Sequence, residues 1–500
     1  MKAPNTMSLF RTVLGTASVA TFAFAGCNPG TFVDLGDQAP VEAINRPDAF
    51  NRTGFGATLA AIEGRLGNGE LSTRLAVGGG TDTGTWTYDI WNSDDIGTFR
   101  ISSSACETPA DDCEVGSGTS ITGVPRFANE GTCIAIGAAS TNVVRVKCET
   151  TPTQASTSTT GATSGFEYGT SLAAAPEASA EDTHVAFLVG APGAISERGT
   201  IFRIPPAGGM PQELTEIADT AGVVQAGARL GQSMVATSLP DAATLAASFP
   251  AVPGFVVLTP LLAVISAPGQ NRVVLAAVGV DALAPTDVDA VVLACIDGDD
   301  GFGRVLAAGD VDGDGMPEVY MGYGESTTDH PGIVRVFDLA NLTSLQQGCA
   351  DTTTADDPEL GDDVTCPTVD GVDCAEGAFG SALTLGDVDA DGILGLIVGA
   401  PRLTVENKLA AGGVFALAGS ASGVDMSRAS FMQISNPSPD DRLGASVAAL
   451  RTHYGIPGVM VRHEVAAGAP GANAAFVFLC SGLGDDSSTT GSRCLELATE

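Results

Sequence analysis

Two short acidic stretches carry residue types and a spacing that could do chemistry. In DVDGDGMPE (310–318), Asp310, Asp312 and Asp314 stand at alternate positions, Gly315 follows, and Glu318 closes the nine residues. A hard cation such as Ca2+ takes about six to eight oxygens in a tight shell. Alternating carboxylates converge when the chain curls, and Gly315 permits the sharp bend. The backbone carbonyl of Met316 can add an oxygen, and Glu318 one or two more. The second stretch, DVDADGILG (387–395), repeats Asp387, Asp389, Asp391 and the following Gly392, with Ile393 as carbonyl donor. Its ninth residue, Gly395, offers no side-chain ligand, so a weaker site is expected. The competing reading, an EF-hand, needs flanking helices and a Glu at the twelfth place. The twelfth residue is Met321, inside the apolar run VYMGYG. Both loops are therefore expected between strands, with Ca2+ as the ion. The alternative is an acidic turn that only solvates. The string IDGDDG (296–301) lacks the alternation and reads as a turn.

Catalytic signatures are missing from the sequence. His184, His330, His453 and His463 are the four histidines, and none sits in a recognisable motif. The strings GTS (169–171), GQS (231–233) and GAS (444–446) lack the second glycine of a nucleophile elbow. No P-loop or dinucleotide fingerprint occurs. A non-enzymatic protein is expected. A hydrolase or lyase acting on a polymer, built from scattered residues, is the lesser alternative.

The elements that must position these loops follow from a repeated phrase. A start of Phe, Tyr or Leu followed by Gly recurs at Phe55-Gly56, Tyr168-Gly169, Leu230-Gly231, Phe302-Gly303, Phe379-Gly380 and Leu443-Gly444. Small-residue turns recur seven times, as VGGG (77–80), IGAA (136–139), VGAPG (189–193), ISAPG (265–269), MGYG (321–324), VGAP (398–401) and AGAPG (467–471). The second repeat has no clean start. A period of about 50 to 80 residues suits one propeller blade per repeat. A short apolar or β-branched run follows each turn, as a buried strand should. The expected fold is all-β, a seven-bladed β-propeller over residues 51–500, because such sheets bury both faces only when stacked radially. The stretches 103–122, 151–165, 350–378 and 481–493 read as loops or insertions, and 237–254 as an insertion with one helical turn.

Composition narrows the partners. Formal net charge is −36. Lys2 and Arg11 lie in the first 26 residues, which hold no acids and read as a signal peptide, leaving 21 basic and 59 acidic side chains. Such a field repels nucleic acid and attracts divalent cations. Residues 12–25 are apolar but too short for a stable membrane span. Residues 27–50 read as a tether, with a strand at Phe32–Leu35 that could complete the last blade beside the C-terminus. With Cys27 set aside, ten cysteines remain, an even set suited to an oxidising compartment. Spacing suggests the pairs Cys106–Cys113, Cys133–Cys148, Cys295–Cys349, Cys366–Cys374 and Cys480–Cys494, although other pairings are arithmetically open. A zinc site is disfavoured, since no C-x-x-C occurs.

Phe24-Ala25-Gly26-Cys27 resembles the lipobox of bacterial lipoproteins, which implies a lipid on Cys27 and, with Asn28 next, the outer membrane. Ordinary signal cleavage is the alternative. The phrases FG…DVDGDGMPEV…GYG and FG…DVDADGILGLIVGAP, with DDRLGASVA (440–448), resemble FG-GAP repeats, the units of the seven-bladed propeller in integrin alpha subunits. That resemblance implies Ca2+ held by Asp310, Asp312, Asp314, Met316 and Glu318, and by Asp387, Asp389, Asp391 and Ile393. It also implies recognition of a protein or surface polymer, as in adhesion. A periplasm-facing structural or assembly lipoprotein is the alternative role.

Overall fold

The apolar run after each small-residue turn forms a strand paired antiparallel to the strand that enters the turn. These runs are Thr85–Asn92, Val143–Cys148, Thr200–Ile204, Arg272–Asp281, Ile333–Asp338, Gly413–Ser420 and Ala474–Phe478, each the third strand of its own sheet. The computed structural model describes residues 41–45, 54–65, 71–79, 85–92, 99–104, 120–124, 133–148, 157–160, 165–176, 184–207, 210–215, 217, 224–240, 257–281, 288–323, 332–340, 349, 353–354, 363–369, 371–389, 391–452 and 462–478. Residues 39–500 form one compact unit. Within it the first strands of successive sheets are neighbours, and the first strand of the last repeat, Ser446–Thr452, neighbours that of the first, Phe55–Arg65. The fold is an all-β β-propeller.

Six sheets are regular four-stranded blades, where seven were expected. The fourth repeat departs from the pattern. Its strands Met234–Ser238, Val257–Ala267, Arg272–Asp281 and Val288–Asp297 take on a fifth, Thr353–Thr354, which pairs in parallel with Val288–Asp297. The disulfide Cys295–Cys349 ties the segment that delivers this strand. A further two-stranded ribbon joins Val372–Asp373 to Thr404–Val405. Outer strands Thr157–Thr160, Gln212–Glu213 and Val364–Thr365 lie where the sequence offered loops or no strand signal. An outermost strand has one neighbour and a wet face, so it needs no apolar alternation.

The recurring glycines clamp one repeat to the next. Gly169 donates its N–H to the carbonyl of Gly190 in its own repeat (3.0 Å). Its own carbonyl accepts from Ser120 Oγ of the preceding repeat (2.7 Å). A Cβ on Gly137, also in the preceding repeat, would lie 2.1 Å from that carbonyl. The same crowding recurs between Gly190 and Gly231 (2.1 Å), Gly322 and Gly380 (2.2 Å), Gly399 and Gly444 (2.1 Å), and Gly468 and Gly56 (1.8 Å). The glycine that offers the carbonyl in each clamp runs at φ near +90°, as Gly169 (φ 90) and Gly380 (φ 89) show, where a side chain is strained. The residue before each is a buried anchor, with Phe55, Tyr168, Leu230, Phe302 and Leu443 all 0% exposed. Between these clamps, adjacent sheets meet in apolar layers dominated by Ala, Val, Leu and Ile.

The last contact closes the ring. Ser446 Oγ donates to the Gly56 carbonyl (2.8 Å), and the Gly54 N–H donates to Asn473 Oδ1 (2.9 Å). The strand Val41–Asn45 then pairs antiparallel with Ala474–Phe478 as the outer strand of the final sheet. The terminal strand expected at Phe32–Leu35 lies outside the described residues, and Val41–Asn45 takes the closing place. The signal peptide, Cys27, Cys106, Cys113, Cys480, Cys494 and the 241–254 part of the insertion also lie outside them. Cys366–Cys374 is bridged. Cys133 is disulfide-bonded and stands opposite Cys148 in the strand register.

Candidate metal centre

Residues 310–317 connect Val305–Gly309 to Glu318–Gly322, the first and second strands of the fifth-repeat sheet. The loop curls because its carboxylates accept from its own backbone. Asp310 accepts from Gly313 N–H (2.7 Å) and Gly315 N–H (3.0 Å), Asp312 from Asp314 N–H (3.0 Å), and Asp314 from Met316 N–H (2.7 Å). Gly315 has φ +91, and a Cβ added there would meet no atom within 4 Å, so conformation rather than space requires glycine. Asp310, Asp312 and Asp314 each bring one oxygen into a group whose members all lie within 4.8 Å of one another. Such a group could hold a metal ion.

Glu318 supplies the test of fit. It is 3% exposed. Its Oε2 accepts from the Val311 N–H (2.6 Å), while Oε1 is buried with no hydrogen-bond partner. Burial, reinforced by the charges of Asp312, Asp338 and Asp310, pushes its carboxyl up to about 8. Asp338 stands directly opposite Glu318 in the register, and its carboxyl is also raised, by burial and by Asp314. Burial likewise raises Asp312, with Asp314, Asp338 and Asp310 adding to it. Among the described residues, Asp310, Asp312, Asp314 and Glu318 have no ion-pair partner. A buried carboxylate oxygen without a donor, beside uncompensated acids, is costly unless a cation satisfies it. The residues fit a hard divalent ion, which would neutralise the cluster and pin two strands together. Asp338 was missed in the sequence. It lies 20 residues past Glu318, and only strand pairing brings the two together.

The second loop is built alike but compensated differently. It joins Ala382–Gly386 to Gly395–Ala400. Asp387 accepts from Gly392 N–H (3.0 Å) and Asp391 from Ile393 N–H (2.9 Å). Asp387, Asp389 and Asp391 again gather within 4.8 Å. At the ninth place a Cβ on Gly395 would lie 2.4 Å from the Leu417 carbonyl, so no carboxylate can stand there. Arg428, from the strand Gly423–Met432, instead donates to Asp389 Oδ2 and lies 3.8 Å from Asp391 Oδ2. Burial and the Asp391 charge, opposed by Arg428, bring the Asp389 carboxyl to about 6. No spacing signal pointed to Arg428. The string IDGDDG ends a strand and enters a turn, with Asp297 paired to Arg272 (2.5 Å).

Residues 302–337, which hold the first loop, match the FG-GAP repeat model. This is a β-propeller carrying an FG-GAP repeat. Repeat and fold are consistent with an integrin alpha-like N-terminal propeller, and an FG-GAP propeller suggests a protein-binding module. No curated protein sequence matches the chain. Among solved structures, a mutant of the Aleuria aurantia lectin AAL in complex with Fucα1-6GlcNAc is similar at 10% identity and TM-score 0.36, over 78% of this chain and 98% of that one. The exotype rhamnogalacturonan lyase YesX is similar at 10% identity and TM-score 0.28, over 88% and 75%. The disulfides of this FG-GAP propeller suit an exported protein. Among the described residues, no helix is long and apolar enough to cross a membrane.

Proposed function

We propose that the chain is an exported, lipid-anchored propeller that binds Ca2+ in the 310–318 loop and serves as a protein-binding or cell-surface adhesion module. The observation that carries the metal reading is the buried, unbonded Oε1 of Glu318 beside Asp310, Asp312, Asp314 and Asp338. The anchor is a lipid on Cys27, and the outer membrane is its place. No reaction is assigned to the protein, and its partner is a protein or surface polymer. The five-stranded sheet counts as the blade of the fourth repeat, which makes the ring seven-bladed. Its support is that Met234–Ser238 neighbours the first strands of the sheets on both sides. A density map down the ring axis with six sheets would refute that count.

The test of function uses the mature chain from residue 27, with Ca2+ or with chelator. Retention of a cell-surface partner only with Ca2+, lost in Asp312→Ala, is the expected result. Retention of no partner, with only a lower melting temperature in chelator, would make the metal a structural clip and the protein a scaffold. An unchanged melting temperature in chelator would sink the metal reading. Affinity for extracellular Ca2+ modules runs at about 10⁻⁴ to 10⁻³ M, which sets the concentration range to be titrated. Incorporation of a fatty-acid label in cells, abolished by Cys27→Ala, is expected of the anchor.

A further inference from the structure

We propose that Arg428 is the resident cation of the 387–395 loop, so that, of the two Asp loops among the described residues, only 310–318 binds a divalent ion. The inference rests on the metal reading of the first loop for its count, but its own evidence lies in the second.

The two loops share a backbone design and differ in what surrounds it. The first has Glu318 at its ninth place and Asp338 opposite, two carboxylates beyond the Asp triad. The second has Gly395 at that place, where the Leu417 carbonyl leaves no room for a side chain. The strand opposite runs Leu417, Ala418, so its counterpart of Asp338 is also apolar. Two acids are thus lost together, and one base is gained. Arg428 reaches the loop from a bulge. The register of Gly413–Ser420 against Gly423–Met432 jumps from Leu417↔Ala429 to Ala418↔Asp425, leaving Met426, Ser427 and Arg428 unpaired on one strand. A bulge re-aims side chains. Here Asp425 fixes it by accepting from the Ser427 N–H (2.9 Å) and hydroxyl (2.6 Å). The guanidinium that results meets Asp389, whose side chain is 6% exposed, and Asp391. A planar, permanently charged fork suits carboxylates without needing the six or more oxygens that Ca2+ demands.

Equilibrium dialysis of the full mature chain against Ca2+ counts the sites. One equivalent is expected for wild type and two for Arg428→Gln, with Arg428→Gln/Asp387→Asn returning to one. Two equivalents in wild type would overturn the proposal, as would one in an Arg428→Gln chain that melts like wild type. If Arg428→Gln does not fold, single variants decide: Asp387→Asn should leave the wild-type count unchanged, and losing an equivalent there overturns the proposal. Zero equivalents in wild type would defeat the first-loop reading separately. In that case a gain of one in Arg428→Gln still supports the resident-cation role, and no gain overturns it.

Discussion

Replacing Gly190 by alanine tests whether the glycine clamp, rather than turn conformation alone, dictates the repeated phrase. The new Cβ would lie 2.1 Å from the Gly231 carbonyl oxygen, 2.4 Å from Ser171 Oγ and 2.9 Å from the Gly231 carbonyl carbon. Ordinary contact begins at 3.4 Å, so the oxygen must recede by about 1.3 Å. Ser171 can rotate away, but it then gives up its 2.7 Å bond to that same oxygen. The Gly231 backbone cannot follow, because its N–H is held by the Ser266 carbonyl (2.9 Å). Overpacking a tight contact costs about 1–3 kcal/mol, and a buried acceptor left without its donor costs about 1–3 kcal/mol more. The expected loss is thus roughly 2–6 kcal/mol, read as a lower urea midpoint at unchanged slope. Gly165→Ala is the control. It has no neighbour within 4 Å and only its φ of +87 to overcome, a cost of about 1–2 kcal/mol. A Gly190→Ala chain within about 0.5 kcal/mol of wild type, or no worse than Gly165→Ala, would refute the clamp.

Stability without metal should fall as pH rises. Glu318 has a folded-state pKa of about 8 against an ordinary 4.5, so the folded chain holds this proton longer than the unfolded chain. Its contribution is complete below pH 4.5 and is lost as pH climbs through about 8, by at most about 5 kcal/mol at 1.36 kcal/mol per unit. Melting curves in chelator from acid to pH 9 should show this slope, and Glu318→Gln should flatten it; equal slopes in the two chains would contradict the assignment. The Cys295–Cys349 and Cys366–Cys374 disulfides should differ in worth. Loop closure over 54 residues predicts about 4 kcal/mol for Cys295–Cys349, and over 8 residues about 2–3 kcal/mol for Cys366–Cys374. Denaturant titration of the paired Cys→Ala variants measures both, and a larger loss from the shorter loop would reverse the ranking.

Third strands buried on both faces were legible because such burial demands a continuous apolar run, as GVFALAG (413–419) shows. The Asp loops were legible because their carboxylates lie close in sequence and accept from their own backbone, so spacing alone encodes the curl. Outer strands such as Gln212–Glu213 were not, because one hydrogen-bonded neighbour holds them regardless of pattern. Asp338 and Arg428 were invisible for a related reason. Their spacing to the loops carries no period, and each arrives through register or through a bulge.

By itself, then, the sequence determined the class of fold, the glycine-marked repeat starts and the two places where acids gather, since each depends on neighbours within one repeat. Tertiary structure decided the rest. The FG glycines prove to be contacts between repeats, with the carbonyl of Gly56 closing on Gly468 across the whole chain. Two loops of nearly equal sequence become unlike sites, one with the buried Glu318 carboxylate and no ion pair among the described residues, and one whose Asp389 and Asp391 are met by Arg428. The physical reason is that charge compensation depends on distance in space, which strand pairing sets and local spacing does not.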